Sequence, residues 1–199
     1  MAALRATRLQ ETLKKGLDLL AEGNHACALV GGLAVSARTT PRFTADVDLA
    51  VAVASDREAE AVANRFQSAG ATIQAMVEQD AVERLATVRL SMATREGPVL
   101  DLLFASCGIE PEVVEAAESV ELLPSLRVPI ATTAHLIAMK VLSAEAARPR
   151  DHSDLLALLR EATTEDLAEA RRALTLITKR GYHRGKTLHK ELDRFIALL

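Results

Sequence analysis

Residues 31–53 read GGLAVSARTTPRFTADVDLAVAV, and this stretch decides how the rest of the chain is interpreted. Within it, Asp46 and Asp48 stand on either side of Val47, at the start of an apolar run that is typical of a strand. Alternate residues of a strand share one face of a sheet, so the two carboxylates are predicted to lie side by side. Two like charges this close favour a bound cation, and carboxylate oxygens suit Mg²⁺.

A third carboxylate interrupts a later apolar run. Asp101 lies within residues 98–104, PVLDLLF, and a charge inside a buried strand is costly unless it has a partner. If this strand neighbours the one that carries Asp46 and Asp48, three carboxylates converge on one edge of the sheet. Each acid taken alone would also fit a solvated turn or a strand position facing water, whereas the combination favours a site.

A glycine pair precedes the first two acids. Gly31 and Gly32 end the apolar run Ala26–Val30 and precede a short predicted helix. Small residues at a helix start let an anion approach the first backbone amides, where the helix dipole favours negative charge. A plain strand-to-helix turn would also require small residues, so both interpretations remain at this point.

Hydrophobic periodicity predicts an α/β (α+β) fold with two parts. The first is a minimal domain over residues 1–130, in which helices flank a mixed sheet. The second is a C-terminal helical bundle over residues 131–199, which is expected to complete the site. Helices are predicted over residues 5–21, 55–69 and from Thr132 onward, and strands over residues 26–30, 47–53, 72–77, 86–93 and 99–104, with a turn at 94–98.

Composition sets the outer limits of the interpretation. The chain has 199 residues, of which 49% are hydrophobic and 26% charged, so it can bury a core. No stretch approaches the roughly 20 apolar residues that span a bilayer, and the charged N-terminus is unlike a signal peptide. We therefore expect a cytoplasmic protein without a membrane partner. Cys27 and Cys107 are too few for a metal cluster or a disulfide framework.

Together these residues resemble a known family. Gly31-Gly32, thirteen intervening residues and then Asp46-Val47-Asp48-Leu49 resemble the signature of the DNA polymerase β-like nucleotidyltransferase superfamily. More narrowly, the chain is similar to the AbiEii/MenT-type nucleotidyltransferases, the toxin halves of type IV abortive-infection and toxin–antitoxin systems. That similarity includes Arg42, Thr44 and the later segments HLIAMK at residues 135–140 and RDHSDLL at residues 150–156.

The resemblance implies transfer of a nucleoside monophosphate from an NTP to an acceptor hydroxyl. By position, Asp46 and Asp48 would be shared ligands of two Mg²⁺ ions, and Asp101 would be the ligand on the side of the nucleophile. Lys140 would also belong to the catalytic group. The implied nucleotide-binding residues are Gly31, Gly32, Arg38, Arg42, Thr44 and Asp154.

Several of these residues also allow a simpler interpretation. Lys140 lies on the apolar face of a predicted helix, where it either snorkels to solvent or reaches a phosphate, and the resemblance favours the phosphate. Arg38 and Arg42 could be ordinary surface arginines. Asp151 and Asp154 could be a helix cap and a surface acid, or one of them could anchor Lys140 or a catalytic arginine.

Residues 171–190, which we call the basic segment, hold seven basic residues and no acidic one, although the whole chain has a net charge of −3. Such a segment favours a polyanion, and the resemblance suggests the 3′ end of tRNA. Two other interpretations are equally open: a solvated helix pair, or a surface for an acidic partner such as an antitoxin. Residues 181–185, GYHRG, are predicted to form a mobile cationic turn. The seven residues are Arg171, Arg172, Lys179, Arg180, Arg184, Lys186 and Lys190.

The leading hypothesis from the sequence is a Mg²⁺-dependent nucleotidyltransferase that acts on RNA as a toxin. A second hypothesis keeps this chemistry with a small-molecule acceptor, as in the aminoglycoside-modifying relatives, or with a protein hydroxyl. A third is a nucleotide-binding or partner-binding module that has the fold without turnover. The presence of all three carboxylates argues against the third. The residues do not identify the base of the NTP.

Overall fold

The computed structural model describes residues 2–79, 81–92, 97–123, 126–145 and 149–199. In chain order its elements are α1 (Ala2–Glu22), β1 (Cys27–Val30), α2 (Gly31–Arg38), β2 (Asp46–Val51), α3 (Asp56–Ser68), β3 (Thr72–Gln79), β4 (Arg84–Ser91), β5 (Val99–Leu103), α4 (Glu110–Glu115), β6 (Glu118–Leu123), β7 (Leu126–Ile130), α5 (Thr133–Ser143), α6 (Pro149–Glu161), α7 (Thr164–Lys179) and α8 (Leu188–Ile196).

The strands form one mixed sheet in the order β3-β4-β5-β2-β1-β7-β6. β2 is parallel to β5 and β1 is parallel to β7, whereas the other neighbours are antiparallel. The predicted α/β class with a mixed sheet is therefore confirmed. β2 and β5 lie side by side, which is the condition under which the three acids were expected to converge.

Helix α3 shows how local sequence sets an element. The hydroxyl of Ser55 accepts a hydrogen bond from the backbone N–H of Glu58 at 3.3 Å, and the Glu58 carboxylate accepts one from the N–H of Ala54 at 2.8 Å. Gly70 follows the helix with a φ of +89°, a conformation that favours glycine. Both ends of this helix were predicted from these residues.

Three elements between residues 104 and 132 were not predicted. β6 lies at the edge of the sheet and its sequence, ESVELL, has no clear alternation. β7 contains Pro129, a residue that argues against a strand; it is tolerated because the pairing of β7 with β1 covers only Leu29 and Ile130. α4 has six residues, too few to show a helical period. The predicted turn at 94–98 lies mostly outside the described residues.

The two faces of the sheet are used differently. α1 packs on β2 and β5, where Leu49 and Leu100 contact the helix at Gly16. Since side chains alternate along a strand, Asp48 and Asp101 point to the other face. α5 packs against α6, α7 and α8, and both α5 and α6 contact α2. The C-terminal helices therefore lie next to the helix that begins with the glycine pair.

The proposed boundary near residue 130 falls between β7 and α5, and the division into two domains stays a prediction. Among the described helices, none is both long and apolar enough to cross a bilayer.

The core makes a direct stability prediction. Phe66 is 0% exposed and Phe43 is 66% exposed. Phe66→Ala should lower the free energy of unfolding by about 3–5 kcal/mol, because it removes a buried ring and leaves a cavity. Phe43→Ala is the matched control and should change it by less than about 0.5 kcal/mol. Chemical denaturation monitored by circular dichroism would measure both, and equal effects would contradict the assignment of the core.

Candidate active site

The three predicted carboxylates lie on one face of the sheet. Asp48 on β2 is the direct neighbour of Asp101 on β5, and Asp46 precedes Asp48 by two residues on the same strand. Asp101 is buried, whereas the other two are partly exposed. The pairing of β2 with β5 thus places next to each other acids that are 53 residues apart in the sequence.

The glycine pair begins α2 directly against these acids. Gly31 has a φ of +63°, and a Cβ at this position would lie 2.0 Å from Oδ2 of Asp48. No other residue fits there. A Cβ on Gly32 would lie 2.9 Å from both Nη2 of Arg42 and Oγ1 of Thr44. The structure therefore gathers Gly31, Gly32, Arg42 and Thr44, four of the predicted nucleotide-binding residues, around the start of α2.

Asp48 is the most perturbed acid of this group. Burial raises the pKa of its carboxyl to about 7, and the neighbouring charges of Asp101 and Asp46 add to the effect, while Lys140 and Arg89 oppose it. No hydrogen bond or ion pair joins its carboxylate to another residue that the structure describes. A partly exposed carboxylate beside two others is a donor set that fits a hard divalent cation, so the residues present are compatible with Mg²⁺.

Asp101 has a protein partner that the sequence did not reveal. Arg89 on β4 lies opposite Asp101 and binds it with two hydrogen bonds, Nε to Oδ1 at 2.9 Å and Nη2 to Oδ2 at 2.6 Å. Among the described residues, no group of three or more His, Cys, Asp or Glu side chains is arranged to hold a metal ion. Asp101 would have to leave Arg89, at least in part, to complete such a group. The position of Arg89 within the largely apolar β4 sequence is the feature from which this partner of Asp101 could have been predicted.

Asp154 ties two of the predicted site cations together. It lies on α6 with its side chain only 1% exposed, and it accepts hydrogen bonds from Nε and Nη2 of Arg42, each at 2.6 Å. Nζ of Lys140 lies 2.8 Å from the same carboxylate and 2.6 Å from Asp151. Burial alone would raise the pKa of Asp154, but the hydrogen bonds from Arg42 and Lys140 outweigh it and lower that pKa. The geometry favours the interpretation of Asp154 as an anchor for Lys140 and an arginine.

A pocket of about 210 Å³ opens in front of these residues. It brings together Gly31 and Asp48 from the sheet side with Lys140 from α5, all of them predicted site residues. Other lining residues were not predicted for a pocket. Those that matter below are Ser106, Cys107, Asp151 and Arg184.

The loop that forms part of the pocket wall is organised by Glu110. This residue is 1% exposed, and its carboxylate accepts hydrogen bonds from the backbone N–H groups of Ser106, Cys107 and Gly108 at 2.6, 2.7 and 2.9 Å. Burial raises the pKa of the Cys107 thiol well above its usual value, so this cysteine is held in the neutral form. The wall is thus a rigid loop with its amides already satisfied.

Arg38 was predicted to contact the nucleotide, but its contacts here are structural. Its guanidinium donates to the backbone carbonyls of Ala131 at 3.1 Å and Ile130 at 3.2 Å, and to Glu118 at 2.6 Å. These bonds hold the end of α2 against β6 and β7. A nucleotide-binding role for Arg38 stays a prediction that these contacts do not support.

Most of the basic segment is engaged within the protein. Arg171 pairs with Asp193, Arg172 with Glu169, and Arg180 with Glu112, while Lys186 donates to the carbonyls of Leu142 and Ala144 and Arg184 to that of Ser106. Lys179 and Lys190 are exposed and make no hydrogen bond or ion pair with the part of the chain that the structure describes. The segment therefore holds the C-terminal helices in place, and its predicted RNA contacts remain untested.

The turn at residues 181–185 differs from the expectation of a mobile loop. Tyr182 is buried, and its ring lies so close to Gly108 that a Cβ there would be 2.3 Å from it. Arg180 donates to the carbonyl of Gly108 at 2.6 Å as well. Packing of the Tyr182 ring and the hydrogen bond from Arg180 hold the turn against the pocket wall, which charge composition alone could not indicate.

Comparisons with known proteins agree with this geometry. The family model described as nucleotidyl transferase AbiEii toxin, type IV TA system, matches residues 17–197, more than the sequence motifs covered. None of the curated proteins matches the chain at a significant level.

Solved structures show the same fold. A solution structure of the antibiotic-resistance factor ANT(2'')-Ia is 16% identical, with a TM-score of 0.51 over 100% of this chain and 92% of that one. A crystal structure of ANT(2'')-Ia in complex with adenylyl-2''-tobramycin is 18% identical, with a TM-score of 0.50 over 94% of this chain and 97% of that one. An antigenic nucleotidyltransferase-like protein from Paracoccidioides brasiliensis is 18% identical, with a TM-score of 0.50 over 95% and 92%.

The family match covers nearly the whole chain, and it agrees with the three aligned carboxylates, the glycine pair and the helical lysine. The chain belongs to the AbiEii nucleotidyltransferase family of type IV toxin–antitoxin systems and is an enzyme of the nucleotidyltransferase class.

Proposed function

We propose that this nucleotidyltransferase uses Mg²⁺ to move a nucleoside monophosphate from an NTP to an acceptor hydroxyl, with RNA as the acceptor. The observation that carries the proposal is the position of Asp46, Asp48 and Asp101 on one face of the sheet, directly before the first residues of α2. This arrangement offers carboxylate oxygens beside backbone amides that favour an anion.

The acids have distinct tasks in this proposal. Asp46 and Asp48 are the residues that would hold Mg²⁺, with Asp101 joining them when Arg89 releases it. Bound there, Mg²⁺ would neutralise phosphate charge and acidify the acceptor hydroxyl. Two ions are the number that the resemblance to the superfamily implies. Without a cation, Asp48 takes up a proton near neutral pH, since burial and its acidic neighbours raise its pKa to about 7.

The cations around the pocket orient the nucleotide. The amides that follow Gly31 and Gly32 receive phosphate oxygens, since both glycines leave the helix start open. Lys140 lines the pocket and supplies positive charge beside these amides. Asp154 is a positioning residue: it keeps Lys140 and Arg42 in place without approaching the substrate itself.

The acceptor follows from the family and the charge distribution. Membership of a type IV toxin family supports a toxin that modifies RNA in the cytoplasm, at the 3′ end of tRNA, and an antitoxin as a protein partner. Lys179 and Lys190 are the residues of the basic segment that remain available for such an acceptor among those described.

A small-molecule acceptor is the second candidate. Five of the seven basic residues of the segment have partners inside the protein. Fewer basic side chains are therefore available to bind a polyanion. A structural relative, ANT(2'')-Ia, has been crystallised with adenylyl-2''-tobramycin, so this fold accommodates a small nucleotidylated product in that protein.

Label transfer tests the proposed function. With Mg²⁺ and each α-³²P-labelled NTP in turn, the protein should transfer label to total tRNA, and Asp48→Asn should lower the rate at least a hundredfold, that is, by about 3 kcal/mol or more in barrier. The matched control is Asp56→Asn, because Asp56 is an aspartate that pairs with Arg84 and does not line the pocket.

The position of the label decides between acceptors. Label on an aminoglycoside but not on tRNA would favour the small-molecule acceptor, and label on the protein would indicate a protein hydroxyl. Bound NTP with no transfer to any of these would contradict the enzymatic proposal.

Asp48 also makes a prediction about stability. Its folded-state pKa of about 7 exceeds the ordinary value of 3.8, so its contribution to stability is fully present below about pH 4 and is lost as pH rises through 7. Without metal, Asp48→Asn should therefore be more stable than the wild type at pH 8, by at most about 4 kcal/mol, and equally stable at pH 4. Thermal unfolding at both pH values would measure this, with the exposed residue Asp18 (Asp18→Asn) as control. An Asp48→Asn variant less stable at pH 8 would contradict the argument.

The anchor formed by Asp154 makes a third prediction. Asp154→Asn should lower the free energy of unfolding by roughly 3–5 kcal/mol, because it leaves Arg42 and Lys140 without their buried counter-charge. Asp193→Asn breaks an exposed ion pair of the same length with Arg171 and should cost less than about 1 kcal/mol. Urea denaturation of both variants provides the comparison, and similar losses would show that Asp154 is not an anchor.

A further inference from the structure

The charges that line the pocket are not balanced for an anionic substrate. Lys140 is paired with Asp151 and with Asp154, so little of its positive charge remains uncompensated. Asp48 adds a negative charge to the same surface. An NTP brings several more, and a pocket that receives it requires a cation that no carboxylate already neutralises.

Arg184 is such a cation. It lines the pocket, and among the residues that the structure describes it forms no ion pair. Its Nη2 donates a hydrogen bond of 3.1 Å to the carbonyl of Ser106, which leaves the other N–H groups of the guanidinium available. By contrast, Arg180 in the same segment is bound to Glu112 at 2.6 Å and faces away from the pocket lining.

The backbone at Arg184 has an unusual conformation for a residue with a side chain. Its φ is +52°, in the left-handed region that residues with a Cβ seldom adopt. Glycines at 181 and 185 take positive φ values in the same turn, so glycine would suit position 184 as well. Strain of this kind persists where surrounding structure holds it, and it concentrates at functional sites.

The rest of the turn fixes Arg184 in place. Tyr182 is buried against Gly108, and the carbonyl of Gly108 accepts a hydrogen bond from Arg180. Nδ1 of His183 is buried and has no hydrogen-bond partner among the described residues. The turn therefore contains an unfavourable unpaired polar atom next to Arg184. The guanidinium therefore projects from an anchored turn at the rim of the pocket.

We propose that Arg184, in the turn between α7 and α8, binds the triphosphate of the NTP in the pocket that Gly31 and Lys140 also line. The inference rests on the proposed function and names a substrate contact within it. A planar guanidinium with several available donors suits phosphate oxygens, which it can bind in pairs. The assignment moves Arg184 from the predicted RNA surface to the nucleotide pocket.

Replacement of Arg184 by glycine distinguishes an effect on NTP binding from an effect on folding. Arg184→Gly should keep or raise the melting temperature, because glycine relieves the positive φ, yet it should weaken NTP binding about tenfold or more. Equilibrium dialysis with each of the four α,β-methylene NTPs, in Mg²⁺ and without RNA, measures the affinity. The affinity for the matching nucleoside monophosphates should change less than twofold, because they lack the β- and γ-phosphates. Arg184→Lys should lie between wild type and Arg184→Gly.

Arg172→Gln is the control for the general field of the basic segment, since Arg172 is exposed, pairs with Glu169 and does not line the pocket. Its nucleotide affinity should equal that of the wild type, and a loss as large as that of Arg184→Gly would overturn the inference. Unchanged NTP affinity in Arg184→Gly, with a raised KM for tRNA, would assign Arg184 to the acceptor and overturn it too. If the wild type itself binds no NTP, the proposed function fails along with the inference.

Discussion

Three carboxylates on one face of a sheet repel each other, and much of the surrounding structure is arranged around that repulsion. Burial makes the effect stronger, as the raised pKa of Asp48 shows. Arg89 offsets one of the charges from the neighbouring strand, and Lys140 approaches from the helical part. In the proposed function, a divalent cation and its phosphate ligands would relieve the remaining imbalance, so the repulsion among the acids and their affinity for such a cation would have the same electrostatic origin.

A second set of charges connects the parts of the chain. Asp154 on α6 holds Arg42 from the loop before β2 and Lys140 from α5 in one buried group. Arg38 at the end of α2 binds the carbonyls at the end of β7. Both contacts join elements that lie far apart in sequence, and both flank α2. Arg38 therefore binds at one end of the helix that presents its first amides to the site, and the guanidinium of Arg42 lies beside Gly32 at the other end.

Local sequence was sufficient for the parts of the site that depend on local rules. The i, i+2 spacing of Asp46 and Asp48, the glycine pair and the cap at Ser55 each predict structure through geometry that a few neighbouring residues determine. Residues such as Arg89 were missed because their role depends on the register between strands. The β6–β7 pair was missed because Pro129 made the β7 sequence unlike a strand. The ion pair of Arg180 in the basic segment was missed for the same reason as Arg89: its partner, Glu112, lies 68 residues away.

The close approach of Gly31 to Asp48 has a consequence for which substitutions this pair of residues allows. While Asp48 is present, the space beside it admits no side chain at residue 31. Even an alanine at position 48 would keep its Cβ 2.8 Å from a Cβ at residue 31, and the φ of +63° at residue 31 disfavours a side chain there in any case. Drift at this pair is therefore one-sided: the acid at position 48 can be exchanged while the glycine stays, whereas exchange of the glycine requires the structure around it to shift.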